Sequence, residues 1–504
     1  MSTYHVENFG CRATQADGAA IERQFENRGL IRSSAAEADL VILNTCTVTN
    51  SADQDARAAV RRVRRQNPLA KIIVTGCYAQ RAPEEVAALP GVRAVIGNSH
   101  KHQLADIVLP NLTTNREGHD ISGAVNPPPS MPALAAEVDR AGTSDAFLPL
   151  SALTENRKLG TENWLFVSDI FAHTELLAAP VFESAGDDSI EHARTRPNLK
   201  VQDGCDNRCS FCVIPSVRGH SRSLPLPEII REVNTLVAAG YRELVISGIN
   251  LGRWGRETGF RLSAAGARIS ASGEGLRTPD FSFLLQTILA ETQVEKLRIS
   301  SVEPMDWTDD LIALVASSAR IAKHAHVPLQ SGSDAVLRRM HRKYRPWHYR
   351  EKIEKLRAAM PNAAIGADVM AGFPGETDAE FEATRGLIEE LPFTYLHVFT
   401  YSPRPGTPAA AMPDQVPIHV ARGRNKILRE LAAKKKLAFA RSFVGKSLEA
   451  ITLNVVHCSP EITEALTDNY QKLYLVGRQV ANRWITARVE GVKDGALYGA
   501  LSQR

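Results

Sequence analysis

Residues 202–215 read QDGCDNRCSFCVIP and place Cys205, Cys209 and Cys212 in a C-x3-C-x2-C spacing. Thiolates are natural ligands of iron–sulfur clusters. Three of them on one short loop can hold three irons of a four-iron cluster and leave the fourth open. Structural zinc normally takes four closed ligands, commonly from paired C-x2-C knuckles. No second knuckle follows here, so the string reads as a cluster loop rather than a zinc site.

What surrounds the loop sets the fold. NLKVQDG (198–204) reads as a strand that ends at the loop, followed by RELVISGIN (242–250), EKLRISSVEP (295–304), HAHVPLQSG (324–332), AIGADVMAGFPG (364–375) and YLHVFTYS (395–402). Helical stretches such as 225–240, 309–320 and 349–360 alternate with them. Six strand–helix units in series predict a partial (β/α)6 barrel over 197–435, with its site at the strand carboxyl ends. The Gly/Ser/Arg-rich stretch 256–280 reads as a surface loop, and a charged helix follows the last strand. Beyond it, 438–504 shows short strands between turns, which predicts a small all-β barrel.

Residues 1–110 also alternate. Strands are expected at TYHVENFG (3–10), ADLVILNT (38–45), KIIVTG (71–76) and RAVIG (93–97), giving an open parallel α/β sheet. Each of the first three runs straight into a cysteine: Cys11, Cys46 and Cys77, at intervals of one strand–helix repeat. The carboxyl ends of parallel strands share one edge, so three thiols distant in sequence can converge. The plainer alternative is three small buried hydrophobes. Between the two α/β regions, 111–196 is Pro-, Gly- and Ser-rich with weak periodicity and reads as a linker or insertion, with ENWLFVSDIF (162–171) as a short ordered piece.

The chain has 504 residues, seven cysteines and a formal charge of +4, which is mildly basic and compatible with an anionic partner. An odd cysteine count with no apolar leader at 1–15 argues against a disulfide framework. No apolar run approaches the ~18 residues of a membrane span, so a soluble cytoplasmic protein without membrane contact is expected. Cys458 is left over and is expected to pack in the terminal barrel.

The cluster loop after the first strand of a partial barrel resembles the radical S-adenosylmethionine (SAM) superfamily. The resemblance implies that SAM chelates the open iron and is cleaved by an electron from the cluster to a 5′-deoxyadenosyl radical. Phe211 fits the usual aromatic between the ligands, and Gly372, Gly375 and Glu376 in GFPGE look like the Gly-rich segment near SAM. Ser300, Ser301, Glu303, Gln330 and Asp368, at or near strand ends, are further candidates for SAM or substrate contacts.

Over the whole chain, NTCTVTNSADQDAR (44–57), VTGCYAQ (74–80), YSPRPGTPAA (401–410), MPDQVP (412–417) and LTDNY (466–470) resemble the methylthiotransferases. That resemblance implies a second [4Fe–4S] cluster on Cys11, Cys46 and Cys77, and a TRAM-like RNA-binding barrel at about Gly445–Leu501. It also implies transfer of a methylthio group to C2 of an adenosine. One SAM methylates a sulfur held on the second cluster, and another supplies the radical. The nearest branch acts on N6-threonylcarbamoyladenosine beside the tRNA anticodon. N6-isopentenyladenosine and an aspartate of a ribosomal protein are the enzymatic alternatives, and an iron–sulfur RNA-binding redox sensor is the non-enzymatic one. Such an enzyme requires an electron donor and a sulfur source. Two basic stretches, Arg57 with Arg61, Arg62, Arg64 and Arg65, and Arg338 with Arg339, Arg342, Lys343 and Arg345, are candidate phosphate contacts. Segments 111–196 and 256–280 are longer than the family pattern leads one to expect.

Overall fold

The computed structural model describes residues 2–113, 157–159, 163–173, 176–177, 195–257, 279–455 and 461–502. Cys458 and most of 111–196 and 256–280 lie outside these residues. The expected α/β class is what forms.

The N-terminal sheet has seven strands in the order Ile31–Arg32, Thr3–Asn8, Leu40–Thr45, Lys71–Gly76, Val92–Ile96, Asn163–Phe166, Arg157–Leu159. The first six run parallel, and only Arg157–Leu159 is antiparallel to its neighbour. The central strand LVILNT is buried at every residue, because both faces are covered by apolar side chains. Register fixes where these strands end. Asn8 faces Asn44 and Thr45 faces Gly76, so the residues that follow emerge side by side. One reading changes here. ENWLF, expected as an isolated piece of linker, is the sixth strand and pairs Trp164 with Ala94. Val92–Ile96 would otherwise present an unpaired edge.

The second unit holds six parallel strands, from Asn198–Asp203 to Tyr395–Thr400, in two hydrogen-bonded groups. Single bridges from Leu297 to Ile321 and from Ser301 to His326 join the groups into a partial barrel. Trp254, Trp307, Tyr344 and Tyr349 are fully buried in its core. The helix Ile418–Arg441 follows and leads into a closed five-stranded barrel of Ser447–Thr452, Ile462–Thr467, Lys472–Val476, Ala496–Leu501 and Trp484–Lys493. Ala440 and Phe443 at the helix end share that small barrel's core with Ala450, Leu473 and Val489. Among the described residues, no helix is long and apolar enough to cross a membrane.

Candidate functional site

Cys11 stands at the start of the helix Arg12–Glu26, while Cys46 and Cys77 lie directly after their strands and are buried. Two glycines permit their approach. Gly10 has φ +106°, and a Cβ there would stand 2.5 Å from Cys46 Cβ. Gly76 has φ +98°, and its Cβ would meet the Thr45 carbonyl at 2.3 Å. Burial, with the Cys77 and Cys11 charges adding to it, pushes the Cys46 thiol up to about 12. Thr14 Oγ1 lies 3.5 Å from Cys11 Sγ. Asn98 Nδ2 donates both to Cys77 Sγ (3.6 Å) and to the Val217 carbonyl (2.7 Å).

The second set sits on the loop after Asn198–Asp203. Burial pushes Cys205 up to about 11 and Cys212 to about 12. N–H groups aim at two of its sulfurs: Asn207 N (3.4 Å) and Asn250 Nδ2 (3.7 Å) at Cys205, and Arg342 Nη1 (3.2 Å) at Cys209. Among the described residues, no three His, Cys, Asp or Glu side chains are gathered closely enough to hold one metal ion. Two sets of three cysteines, each supported by N–H or O–H groups and offering three thiolates where structural zinc takes four ligands, fit a multi-iron cluster rather than zinc. Raised thiols must lose protons when a cluster binds.

One cavity of about 720 Å³ is lined by Cys205, Cys209 and Cys212 and, from the N-terminal set, by Cys11, while Cys46 and Cys77 lie buried behind it and do not line it. Phe211, Ser300, Ser301, Glu303, Gln330 and Asp368 line it as well. Ser301 Oγ lies 2.6 Å from His326 Nδ1, and Asp368 Oδ1 lies 3.3 Å from His326 Nε2. Glu303 forms an ion pair with Arg342, so it orients the group that donates to Cys209. Gly372, Gly375 and Glu376 are not brought to the cavity. Glu376 is buried, accepts from Gly372 N and from Arg424 Nη1 (2.8 Å each), and anchors the turn to the helix Ile418–Arg441.

The basic stretches also separate. Arg342 is buried against Cys209 and Glu303 and unavailable to a phosphate. Arg338 and Arg345 pair with Asp334, Arg339 with Glu380, Arg57 with Glu85 and Arg62 with Glu7. Arg61, Arg64, Arg65 and Lys343 remain exposed. Site residues not expected from sequence are Arg12, His324, His326, Tyr395, His397 and Tyr470, all lining the cavity. Alternation in HAH places His324 and His326 on one strand face, a signal present in the sequence.

Two buried ionic networks hold the N-terminal sheet on the barrel. Asp17 accepts from Lys101 Nζ (3.0 Å) and Arg218 Nη2 (3.0 Å) and pairs with Lys200. Asp203 accepts from Lys200 Nζ (2.7 Å) and Arg218 Nη1 (2.9 Å). Separately, Asp53 pairs with Arg81 (2.9 Å) and Arg404, while Thr47 Oγ1 accepts from both arginines (2.8 Å each). The short helix Ile214–Arg218, directly after Cys212, packs Val217 on Cys77, so the two thiol sets share a wall.

Residues 3–97 match the family described as Uncharacterized protein family UPF0004, and residues 199–388 match the Radical SAM superfamily. The chain is 34% identical to Threonylcarbamoyladenosine tRNA methylthiotransferase MtaB of Bacillus subtilis, over 95% of this chain and 91% of that protein. It is 31% identical to the Aquifex aeolicus protein of the same name, over 92% and 94%. It is also 31% identical to tRNA-2-methylthio-N(6)-dimethylallyladenosine synthase of Novosphingobium aromaticivorans, over 89% and 86%. With both family matches and likeness along nearly its whole length, the chain belongs to the radical SAM methylthiotransferase family, in its MtaB branch.

Proposed function

We propose that this chain inserts a methylthio group at C2 of N6-threonylcarbamoyladenosine at position 37 of tRNA, in the cytoplasm. Cys205, Cys209 and Cys212 hold one [4Fe–4S] cluster with SAM at its open iron, and Cys11, Cys46 and Cys77 hold a second. The observation that carries this reading is the single cavity bordered by Cys11 on one side and the C-x3-C-x2-C loop on the other. When bound, the two clusters supply an electron for SAM cleavage and a site for the sulfur to be transferred.

The chain's own part is positioning and exclusion. Arg342, fixed by Glu303 and with its Nε 3.2 Å from the Tyr344 hydroxyl, directs an N–H at the Cys209 sulfur. Val213 and Val217 pack apolar surface on Cys77 and exclude water from the wall between the two sets. An unactivated C–H bond demands a radical, and a radical demands such shielding. The TRAM-like barrel and the exposed Arg61, Arg64 and Arg65 offer tRNA contacts. An electron donor and a sulfur source are the further partners required.

Support for the substrate comes from the MtaB relatives of Bacillus subtilis and Aquifex aeolicus, which are named as threonylcarbamoyladenosine tRNA methylthiotransferases. The test is mass spectrometry of tRNA nucleosides from cells lacking the protein, beside complemented cells. Loss of the methylthio-threonylcarbamoyl nucleoside with accumulation of its precursor is expected. Loss of the methylthio-prenyl nucleoside instead would move the substrate to the other branch. No change in either would point to the ribosomal-protein substrate. A protein that binds iron but never cleaves SAM under strong reductant would be a sensor.

A further inference from the structure

Arg12 follows Cys11 directly and lines the cavity. Its Nη2 donates to the Tyr470 hydroxyl (3.3 Å), which the turn after Ile462–Thr467 brings from the far end of the chain. Its Nη1 is closed off from solvent and has no hydrogen-bond partner. Among the described residues, no carboxylate forms an ion pair with this guanidinium. Two carboxylates that line the cavity have partners, Glu303 in Arg342 and Asp368 in His326.

Around Arg12 stand Tyr470, Tyr395, His324 and His397. His324 lies 4.4 Å from Tyr470 and 5.9 Å from Tyr395 between ring centres. Burial lowers the pKa of both His324 and His397, and the nearby charge of Arg12 lowers it further. These two histidines therefore stay neutral, and Arg298, which lies 5.5 Å over the Tyr470 ring, is already paired with Glu243, which leaves Arg12 as the cation of this corner without a carboxylate partner. A buried N–H without an acceptor is costly and becomes satisfied when an anion enters. A guanidinium offers paired N–H groups in a fixed fork that matches a carboxylate. A threonylcarbamoyl group carries a carboxylate at N6 of the adenine, whereas a prenyl group carries no charge.

We propose that Arg12, positioned by Tyr470, binds the carboxylate of the N6 substituent and so selects the threonylcarbamoylated base over a prenylated one. This rests on the substrate reading given above.

The test uses the anaerobically reconstituted holoenzyme and three anticodon stem-loops. They carry at position 37 the threonylcarbamoyl free acid, its methyl ester, or N6-isopentenyladenosine. Kd is read by fluorescence anisotropy, and iron per chain is measured on every preparation. The wild type should bind the acid about 10- to 100-fold more tightly than the ester, the worth of one charge-assisted hydrogen-bond pair. Arg12→Gln should bring that ratio close to one, and Tyr470→Phe should lower it partway.

An Arg12→Gln protein with wild-type iron and an unchanged acid-to-ester ratio overturns the inference. So does equal weakening of all three ligands, which would assign Arg12 to backbone phosphates. If Arg12→Gln loses iron, Tyr470→Phe decides, and an unchanged ratio there overturns it. A wild type that prefers acid and ester equally over the prenylated ligand keeps the substrate and removes Arg12's role. A wild type that prefers the prenylated ligand removes the substrate reading itself.

Discussion

Replacing Asp17 with Asn should loosen the N-terminal sheet from the barrel. Asp17 and Asp203 together face Lys101, Lys200, Arg218 and Arg222, so the substitution leaves four cations against a single carboxylate. All of these groups are buried or nearly so, and Asn preserves the shape while removing the charge. Breaking a buried pair from one side costs about 3–5 kcal/mol, because it strands uncompensated charge. Hydrogen exchange read by mass spectrometry reports such local opening directly. Amides of the helix Arg12–Glu26 should exchange roughly 100- to 4,000-fold faster, at 1.4 kcal/mol per factor of ten. Amides of the remote helix Phe281–Glu291 should not change.

The same carboxyl predicts a pH response. Burial alone would raise its pKa, but Lys101, Lys200 and Arg218 outweigh burial and hold it well below the usual carboxylate range. A lowered pKa gives stability that is present above the unfolded value near 4 and is lost only as pH falls below it. The difference between wild type and Asp17→Asn should therefore stay constant from pH 8 to pH 5. Acceleration below about fivefold, or a difference that fades within that window, would refute the reasoning.

Other outcomes follow from the same geometry. Cys209→Ala should abolish SAM cleavage, while Cys77→Ala should spare cleavage and stop methylthio transfer. Each should lower bound iron from about eight to about four per chain, and a Cys77→Ala protein that still methylthiolates tRNA would contradict the assignment. Burial, with the Arg298, His326 and Arg12 charges adding, holds His324 well below the ordinary imidazole range. The unfolded chain gains that proton near pH 6.5 and the folded one does not, so stability falls below pH 6.5 by up to about 1.4 kcal/mol per pH unit. Denaturation of His324→Gln should show a shallower slope there, and an identical slope would exclude His324 as the source. Arg404→Met leaves Asp53 with Arg81 as its remaining cation and should cost about 2 kcal/mol. It would be read as faster exchange in the helix Asn50–Gln66, and unchanged exchange there would show that this contact contributes nothing.

The C-x3-C-x2-C loop was legible because three cysteines fall within eight residues of one another, and local spacing survives any tertiary arrangement. Cys11, Cys46 and Cys77 were legible for another reason. Parallel register turns a repeat of strand endings into spatial adjacency, as the Thr45–Gly76 pairing shows. Where convergence depends on which distant edge a segment finds, sequence pattern is silent. Asn163–Phe166 looks like any short apolar run until the free edge of Val92–Ile96 is known. Arg12 meets Tyr470 across 458 positions, a contact that no periodicity encodes. GFPGE is a different case. Its glycines and Glu376 were read by likeness as cofactor contacts, and the structure shows the Glu376 carboxylate held by Arg424 and by Gly372 N, a pairing the motif itself does not announce.

Tyr470 has a consequence for the order of events during synthesis. All six cysteines of the two sets are translated before residue 213, and Tyr470 follows more than 250 residues later. At ordinary ribosomal elongation speeds that interval lasts roughly 10–50 s. Throughout it, the thiols and the first barrel strands exist on the nascent chain while the far wall of their cavity does not. Until then the cavity stands open on the side that Tyr470 later borders, so this wall is the last part of the site to be made.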